Sequence, residues 1–183
     1  MNILVNNKII NFTHDDFPML VSGKAFVKSG ASFFSVSLMT KLFENGEKIV
    51  FFTALPPAKK LFREQVGDRM NNNIIMIDSG EEEVFLESID KIKDFSERIV
   101  LFKNIENYNQ KLFDKLKDKE LIIFSGDIDK CAFADDLLKK DFKTKIFFSY
   151  PDKVKITNKI DLPQYYGYIE SDKYNGLISL DLS

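Results

Sequence analysis

The sequence predicts an α/β protein with a mainly parallel central sheet, flanking helices and antiparallel terminal hairpins. Short apolar runs of strand length recur along the chain, and segments with apolar residues at helical spacing separate them. The runs are apolar throughout rather than alternating, which is typical of strands that helices cover on both faces. These two observations together favour a parallel sheet between two layers of helices.

The predicted elements follow one another in a regular order. The first and last segments, 1–12 and 165–182, predict hairpins that turn at Asn6-Asn7 and near Asn175-Gly176. Predicted core strands lie at 19–22, 49–52, 74–77, 99–102, 121–124 and 146–148. Predicted helices lie between them at 32–44, 57–66, 81–95, 108–116 and 129–140.

Composition limits the classes of protein to consider. The 183 residues contain 44% hydrophobic residues, which is enough for one core, so residues 1–183 are predicted to form one domain. The formal net charge is -2 and only three residues are arginine, which argues against a nucleic-acid partner. No apolar run reaches the roughly 20 residues that cross a bilayer, so direct membrane insertion is not expected. The single cysteine, Cys131, favours a reducing, cytoplasmic location and is interpreted as a structural thiol rather than a nucleophile.

One segment has the arrangement of a phosphate site. Residues 19–32, MLVSGKAFVKSGAS, predict a strand, a loop of small residues and the start of a helix. Free backbone N–H groups at a helix start attract phosphate, and glycine lets the backbone approach it closely. With this loop, and with the segment 45–53, NGEKIVFFT, as a second strand, the chain resembles the RecA/KaiC-like branch of P-loop ATPases. The resemblance covers most of the chain as an order of elements and implies a RecA-like fold.

The loop departs from the family pattern G-x-x-x-x-G-K-[ST] at its charged position. Alignment of Gly30 with the second glycine places Ala31 on the lysine that reaches the β and γ phosphates. Ser32 then falls on the magnesium ligand. Gly23 lies two residues too far upstream to be the first glycine, and Ala25 occupies that position.

A retained site would bind ATP with magnesium, as the resemblance implies, and no other cofactor is predicted. The loop backbone would hold the phosphates, and Ser32 would approach the metal. A lysine from elsewhere in the loop, Lys28 or Lys24, would substitute for the missing cation. The predicted nucleotide-binding residues are Lys28, Ser29, Gly30, Ala31 and Ser32.

The acidic positions of the family are also altered. Relatives end a core strand with a carboxylate that anchors magnesium through water. Here the strand 99–102 is followed by Lys103, so no acid ends it. Asn104 is a neutral stand-in, and Glu106 is an acid about one turn further on. The segment 53–57, TALPP, replaces the region where such ATPases carry a catalytic glutamate.

Asp127 is a third candidate among the polar residues that follow strands. Its loop follows the strand 121–124, and the loops at the carboxyl ends of parallel strands border the ligand crevice. Asp127 would either face bound nucleotide and magnesium or cap the next helix together with Asp129.

The function that these departures favour is a degenerate P-loop domain acting as a non-catalytic binding, regulatory or assembly subunit. The resemblance implies a protein partner or a homo- or hetero-oligomer, and a homologous active subunit is one candidate partner. One alternative is a nucleotide-binding protein with unorthodox ATPase activity that uses Lys28 or Lys24 with Glu106 or Asp127. A second alternative is a single-stranded nucleic-acid binder with a lysine-lined groove and stacking aromatic residues.

Overall fold

A computed structural model of the protein describes residues 1–24, 30–53, 56–79, 81–156 and 159–181. Ten strands form one mixed sheet. The strands are β1 (Asn2–Val5), β2 (Lys8–Ile10), β3 (Met19–Ser22), β4 (Ile49–Thr53), β5 (Ile74–Asp78), β6 (Ile99–Lys103), β7 (Ile122–Gly126), β8 (Thr144–Phe147), β9 (Gly167–Ser171) and β10 (Asn175–Asp181).

The predicted core strands form the parallel part of the sheet. Its order is β8-β3-β7-β6-β4-β5, and every neighbouring pair within it is parallel. Strands β3, β4 and β6 are buried along their full length, as their uninterrupted apolar sequences predict. The α/β class and the parallel core predicted from the sequence are therefore confirmed.

The two terminal hairpins lie on the same side of this parallel core. Strand β9 pairs antiparallel with β8, and β10, β1 and β2 follow outward, each antiparallel to its neighbour. The first hairpin turns at Asn6-Asn7 as predicted, and both residues have positive φ. The pairing of β1 with β10 joins segments from opposite ends of the chain.

Helices cover both faces of the sheet. The α-helices are α1 (Ala31–Glu44), α2 (Pro56–Val66), α3 (Glu82–Lys91), α4 (Gln110–Leu116) and α5 (Ala134–Leu137). Helices α1 and α2 pack on one face in a core that includes Phe34, Phe51 and Phe62, and α3, α4 and α5 pack on the opposite face around Phe85, Phe113 and Phe124. No helix among the described residues is both long and apolar enough to span a bilayer.

The helix predicted at 129–140 is wrong in most of its length. The chain makes a 3-10 turn at Ile128–Lys130, extends at Cys131 and becomes α-helical only at Ala134–Leu137. The extended residue brings Phe133 into the core, where its ring stacks on Phe113 with 4.9 Å between centroids. Burial of this aromatic side chain outweighs the helical spacing of the surrounding sequence.

The turn of the second hairpin also differs from its prediction. It lies at 172–174, closed by a 2.9 Å hydrogen bond from Ser171 N–H to the Tyr174 carbonyl, and β10 begins at Asn175. Gly176 is inside the strand with φ +139, and a Cβ there would lie 2.7 Å from Asn6 Cγ. The glycine thus serves close approach of Asn6 rather than a turn.

Candidate functional site

The connections that follow the adjacent strands β3 and β7 leave the sheet on opposite faces. The connection after β3 runs through α1 on one face, whereas the connection after β7 runs through α5 on the other. Adjacent strands whose connections leave on opposite faces open a crevice at their carboxyl ends, and α/β proteins bind ligands there. The residues that follow β3 and β7, and the neighbouring ends of β6 and β4, are therefore the candidate site.

Helix α1 begins at this edge with a glycine in a conformation that side chains disfavour. Gly30 is the N-cap residue with φ +85, and a Cβ there would lie 3.4 Å from the Phe148 ring and from the Tyr165 backbone. Ala31 is buried, and Ser32 is exposed. Glycine permits both the left-handed turn and the close contact with neighbouring chain.

A pair of buried serines fixes the start of α1 on the sheet. Ser35 Oγ lies 2.7 Å from Ser125 Oγ of β7 and donates a 2.8 Å hydrogen bond to the Ala31 carbonyl. Both side chains are almost fully buried. The first turns of α1 are therefore held directly above the carboxyl end of β7.

Lys103 lies beside this contact and is the least expected residue of the site. It ends β6 in register with Ser125, and alternation along the strand places it on the α1 face with Leu101. The residue is only 3% exposed, and its ammonium has one hydrogen bond, to Asn104 Oδ1 at 3.4 Å. Burial lowers the pKa of Lys103 from 10.5 to about 8, and the negative charge of Glu106 partly opposes this shift.

Asn104 follows Lys103 in a left-handed conformation with φ 62 and is buried. Its Oδ1 atom also accepts a 3.4 Å hydrogen bond from Thr53 Oγ1 at the end of β4. Asn104 thus joins the ends of β6 and β4 through neutral or cationic donors. An amide oxygen that accepts from a lysine is a poor position for a metal cation.

Glu106 and Asp127 meet each other, but each carboxylate caps backbone. Glu106 Oε2 accepts a 3.0 Å hydrogen bond from Asp127 N–H and packs against Gly126. Asp127 is buried, and its side chain accepts from Asp129 N–H at 3.2 Å and lies 3.8 Å from the Lys130 ammonium. Of the two roles predicted for Asp127, the structure has the capping role, with Asp127 as the cap of the 3-10 turn.

The predicted site residues are therefore distributed as follows. Gly30, Ala31 and Ser32 form the start of α1, and Asn104, Glu106 and Asp127 lie at the carboxyl ends of β6 and β7. Lys24 is exposed, and its backbone N–H donates to Ser149 Oγ at 2.9 Å. Lys28 and Ser29 lie outside the described residues.

Two further groups bear on the chemistry of this edge. The Cys131 thiol is buried, and burial raises its pKa to about 11, so the thiol is neutral at ordinary pH and is not a nucleophile. The part of the chain that the structure describes has no group of three or more histidine, cysteine and acidic side chains placed to hold a metal ion.

Sequence reasoning missed Lys103 and the pair Ser35 and Ser125. The available signal for Lys103 was its position: it directly continues a fully apolar strand and lies on the same face as Leu101. Nothing local distinguishes Ser35 or Ser125 from surface serines, because their burial depends on how α1 crosses the sheet.

Comparison with known proteins gives this chain no established relative: no family model, no curated protein and no solved structure matches it.

Proposed function

We propose that this chain is a RecA-like domain of the P-loop type that acts as a binding, regulatory or assembly subunit without orthodox ATP hydrolysis. The order of the parallel strands supports the fold assignment, because the strand that precedes the phosphate loop lies inside the sheet beside the switch point. The helix after the loop begins at a left-handed glycine, Gly30, at the same edge.

The proposal rests on the positions and hydrogen bonds of the charged residues at the carboxyl ends of the parallel strands. Orthodox hydrolysis needs a carboxylate at a strand end to hold magnesium near the phosphates. Here Lys103 ends β6, while Glu106 and Asp127 are engaged in capping backbone N–H groups. Among the described residues, the edge thus offers a cation and backbone donors, which suit an anionic ligand, and lacks a carboxylate directed at a metal.

The resemblance favours an oligomer as the working form. Relatives of this branch commonly form rings in which nucleotide lies between subunits. A member with this altered edge would occupy a structural place in such a ring or complete the site of a homologous active partner.

Calorimetric titration with ATP and magnesium tests ligand binding, and a phosphate-release assay on the same protein tests hydrolysis. We expect measurable binding and no turnover above the background rate. Lys28→Ala tests whether this loop lysine contributes to ATP binding. A contribution from Lys28 predicts weaker ATP binding in the variant. Turnover that the protein itself sustains would instead favour the ATPase alternative.

Gly30→Ala and Gly46→Ala form a matched pair for locating the ligand. Both glycines have left-handed backbone, φ +85 and φ +92, but a Cβ at Gly46 meets nothing within 4 Å. Each substitution should cost about 1 kcal/mol of stability. Only Gly30→Ala should also reduce ATP binding, and equal affinities in the two variants would place the ligand elsewhere.

Sedimentation velocity of the purified protein, with and without ATP, tests the assembly role. A shift to a defined oligomer supports it. A monomer at all concentrations, which also fails to bind nucleotide, would contradict the proposed function.

A further inference from the structure

The ammonium of Lys103 is a buried positive charge without a negative partner among the described residues. The residue is 3% exposed, and its ammonium forms no ion pair with a described carboxylate. Its hydrogen bond to Asn104 Oδ1, at 3.4 Å, is longer than the usual range for N–H···O. A buried charge is costly unless it is paired, so the position calls for an anion.

The side chains beside Lys103 that the structure describes do not supply that anion. Thr53 and Ser125, on the two neighbouring strands, are neutral, and Ser125 is bonded to Ser35. Glu106 is the acid whose charge acts on Lys103, but its Oε2 atom already accepts from Asp127 N–H. Burial lowers the pKa of Lys103 to about 8, and the charge of Glu106 only partly opposes this shift.

The position of the ammonium in the fold adds further positive potential. Helices α1 and α2 follow the parallel strands β3 and β4, so both begin at the edge where β6 ends with Lys103. The positive ends of their dipoles therefore lie at this edge, and the pair Ser35 and Ser125 holds α1 next to Lys103. Two helix starts and a buried ammonium at one crevice form a site that favours a compact anion.

We propose that the Lys103 ammonium binds a phosphoryl group of a phosphate-bearing ligand at this edge, and that it does so without a metal ion. The ammonium would donate hydrogen bonds to phosphate oxygens and supply the positive charge that magnesium supplies in orthodox sites. The identification of this ligand as a nucleotide rests on the proposed function. The phosphate chemistry itself follows from the buried charge.

The first test measures the lysine amine directly. NMR of protein labelled with ¹³C and ¹⁵N at lysine follows the titration of the Lys103 amine, with inorganic phosphate as the probe at pH 7 and EDTA present. We expect saturable shifts of the Lys103 signals and a rise of the pKa of Lys103 on binding. The phosphate concentration is 50 mM, which exceeds a dissociation constant on the order of millimolar. The proposal would be overturned if neither the Lys103 signals nor the pKa of Lys103 changed at this concentration.

The second test compares Lys103→Met with Lys119→Met in calorimetric titrations with ADP and EDTA. Lys119 is the matched control, because its pKa is also lowered to about 8 by burial while it lies at the amino end of β7, beside Phe95. Lys103→Met should weaken binding about tenfold to a hundredfold, as expected for loss of a charge-assisted hydrogen bond, and Lys119→Met should leave it unchanged. Lys103→Arg keeps the charge, and partial affinity in this variant would support a cationic role. Thermal melts establish that each variant is folded.

The outcomes separate this proposal from the proposed function. Nucleotide binding that requires magnesium and is equal in wild type and Lys103→Met would overturn the role of Lys103 and leave the proposed function standing. Phosphate binding at Lys103 in a protein that shows no affinity for ADP would support the anion site and contradict the nucleotide assignment.

Discussion

Lys103 shows how the surroundings of one residue set its chemistry. A lysine at the end of a strand is ordinarily solvated, but Lys103, which lies in register with Ser125 of β7, is buried. Its charge is therefore costly in the folded protein and costs little in the unfolded chain. In the proposed anion site, the same buried charge that weakens the fold would be compensated by the ligand, and perturbed residues of this kind cluster at functional sites.

This burial predicts a pH dependence of stability. The folded protein releases the Lys103 proton near pH 8, whereas the unfolded chain holds it to about pH 10.5. Between these values the unfolded state binds more protons, so the free energy of unfolding rises with pH in that window. Relative to Lys103→Met, wild type should gain on the order of 3 kcal/mol between pH 7.5 and pH 10.5. Urea denaturation at both pH values measures this, and parallel curves for the two proteins would contradict it.

At the level of elements, the start of α1 depends on its hydrogen bond to β7. Ser35 bonds to both the Ala31 carbonyl and Ser125 Oγ, so a single hydroxyl connects the first turn of the helix to the end of the strand. The adjacent ends of β6 and β4 are joined in a similar way by Asn104. The candidate site is thus built from contacts between elements rather than from one loop.

A double-mutant cycle measures the contact between α1 and β7. Ser35→Ala should cost about 1–2 kcal/mol, because the Ser125 hydroxyl is then buried without its partner. Ser125→Ala should cost less, because Ser35 Oγ keeps its hydrogen bond to the Ala31 carbonyl. The double variant should cost less than the sum, with a coupling energy on the order of 1 kcal/mol from chemical denaturation. Ser88→Ala is the control, since Ser88 Oγ also bonds to a helix carbonyl, that of Val84, but is exposed. Strict additivity would show that the serines do not interact.

For the whole molecule, the pairing of β1 with β10 completes the sheet. Asn6 connects these strands beyond their ladder: its Nδ2 donates to the Asn175 carbonyl and its Oδ1 accepts from Leu177 N–H, both at 3.0 Å. Gly176 provides the space for this side chain. Asn6 and Leu177 are 171 positions apart in sequence, so this contact links segments from opposite ends of the chain.

Asn6→Ala should loosen this junction by about 1–2 kcal/mol, through loss of two hydrogen bonds. Asn7→Ala is the matched control, because Asn7 has the same left-handed backbone, φ 63 beside φ 48 for Asn6, and its side chain forms no hydrogen bond with the described residues. Hydrogen exchange should show faster exchange in β1 and β10 for Asn6→Ala only. Equal exchange in both variants would assign the effect to backbone strain.

The sequence alone determined the elements that depend on local patterns. The core strands were predicted to within one or two residues, because uninterrupted apolar runs require burial on both faces, and α1 was predicted from helical spacing. Local spacing was misleading at 129–140, where the core takes up Phe133 and breaks the helix. Asp127 has the capping role, one of the two roles that the sequence left open, and the signal for capping is also local.

Only the tertiary structure decided the order of the strands, the placement of both hairpins on one side, and the composition of the candidate site. Lys103 lies in register with Ser125, and the adjacent Asn104 accepts from Thr53, although these strands are distant in sequence. The engagement of Glu106 likewise depends on the backbone of Asp127, 21 residues away. A local pattern gives no information about such contacts, because the free energy of a charge depends on the groups that surround it and not on its neighbours along the chain.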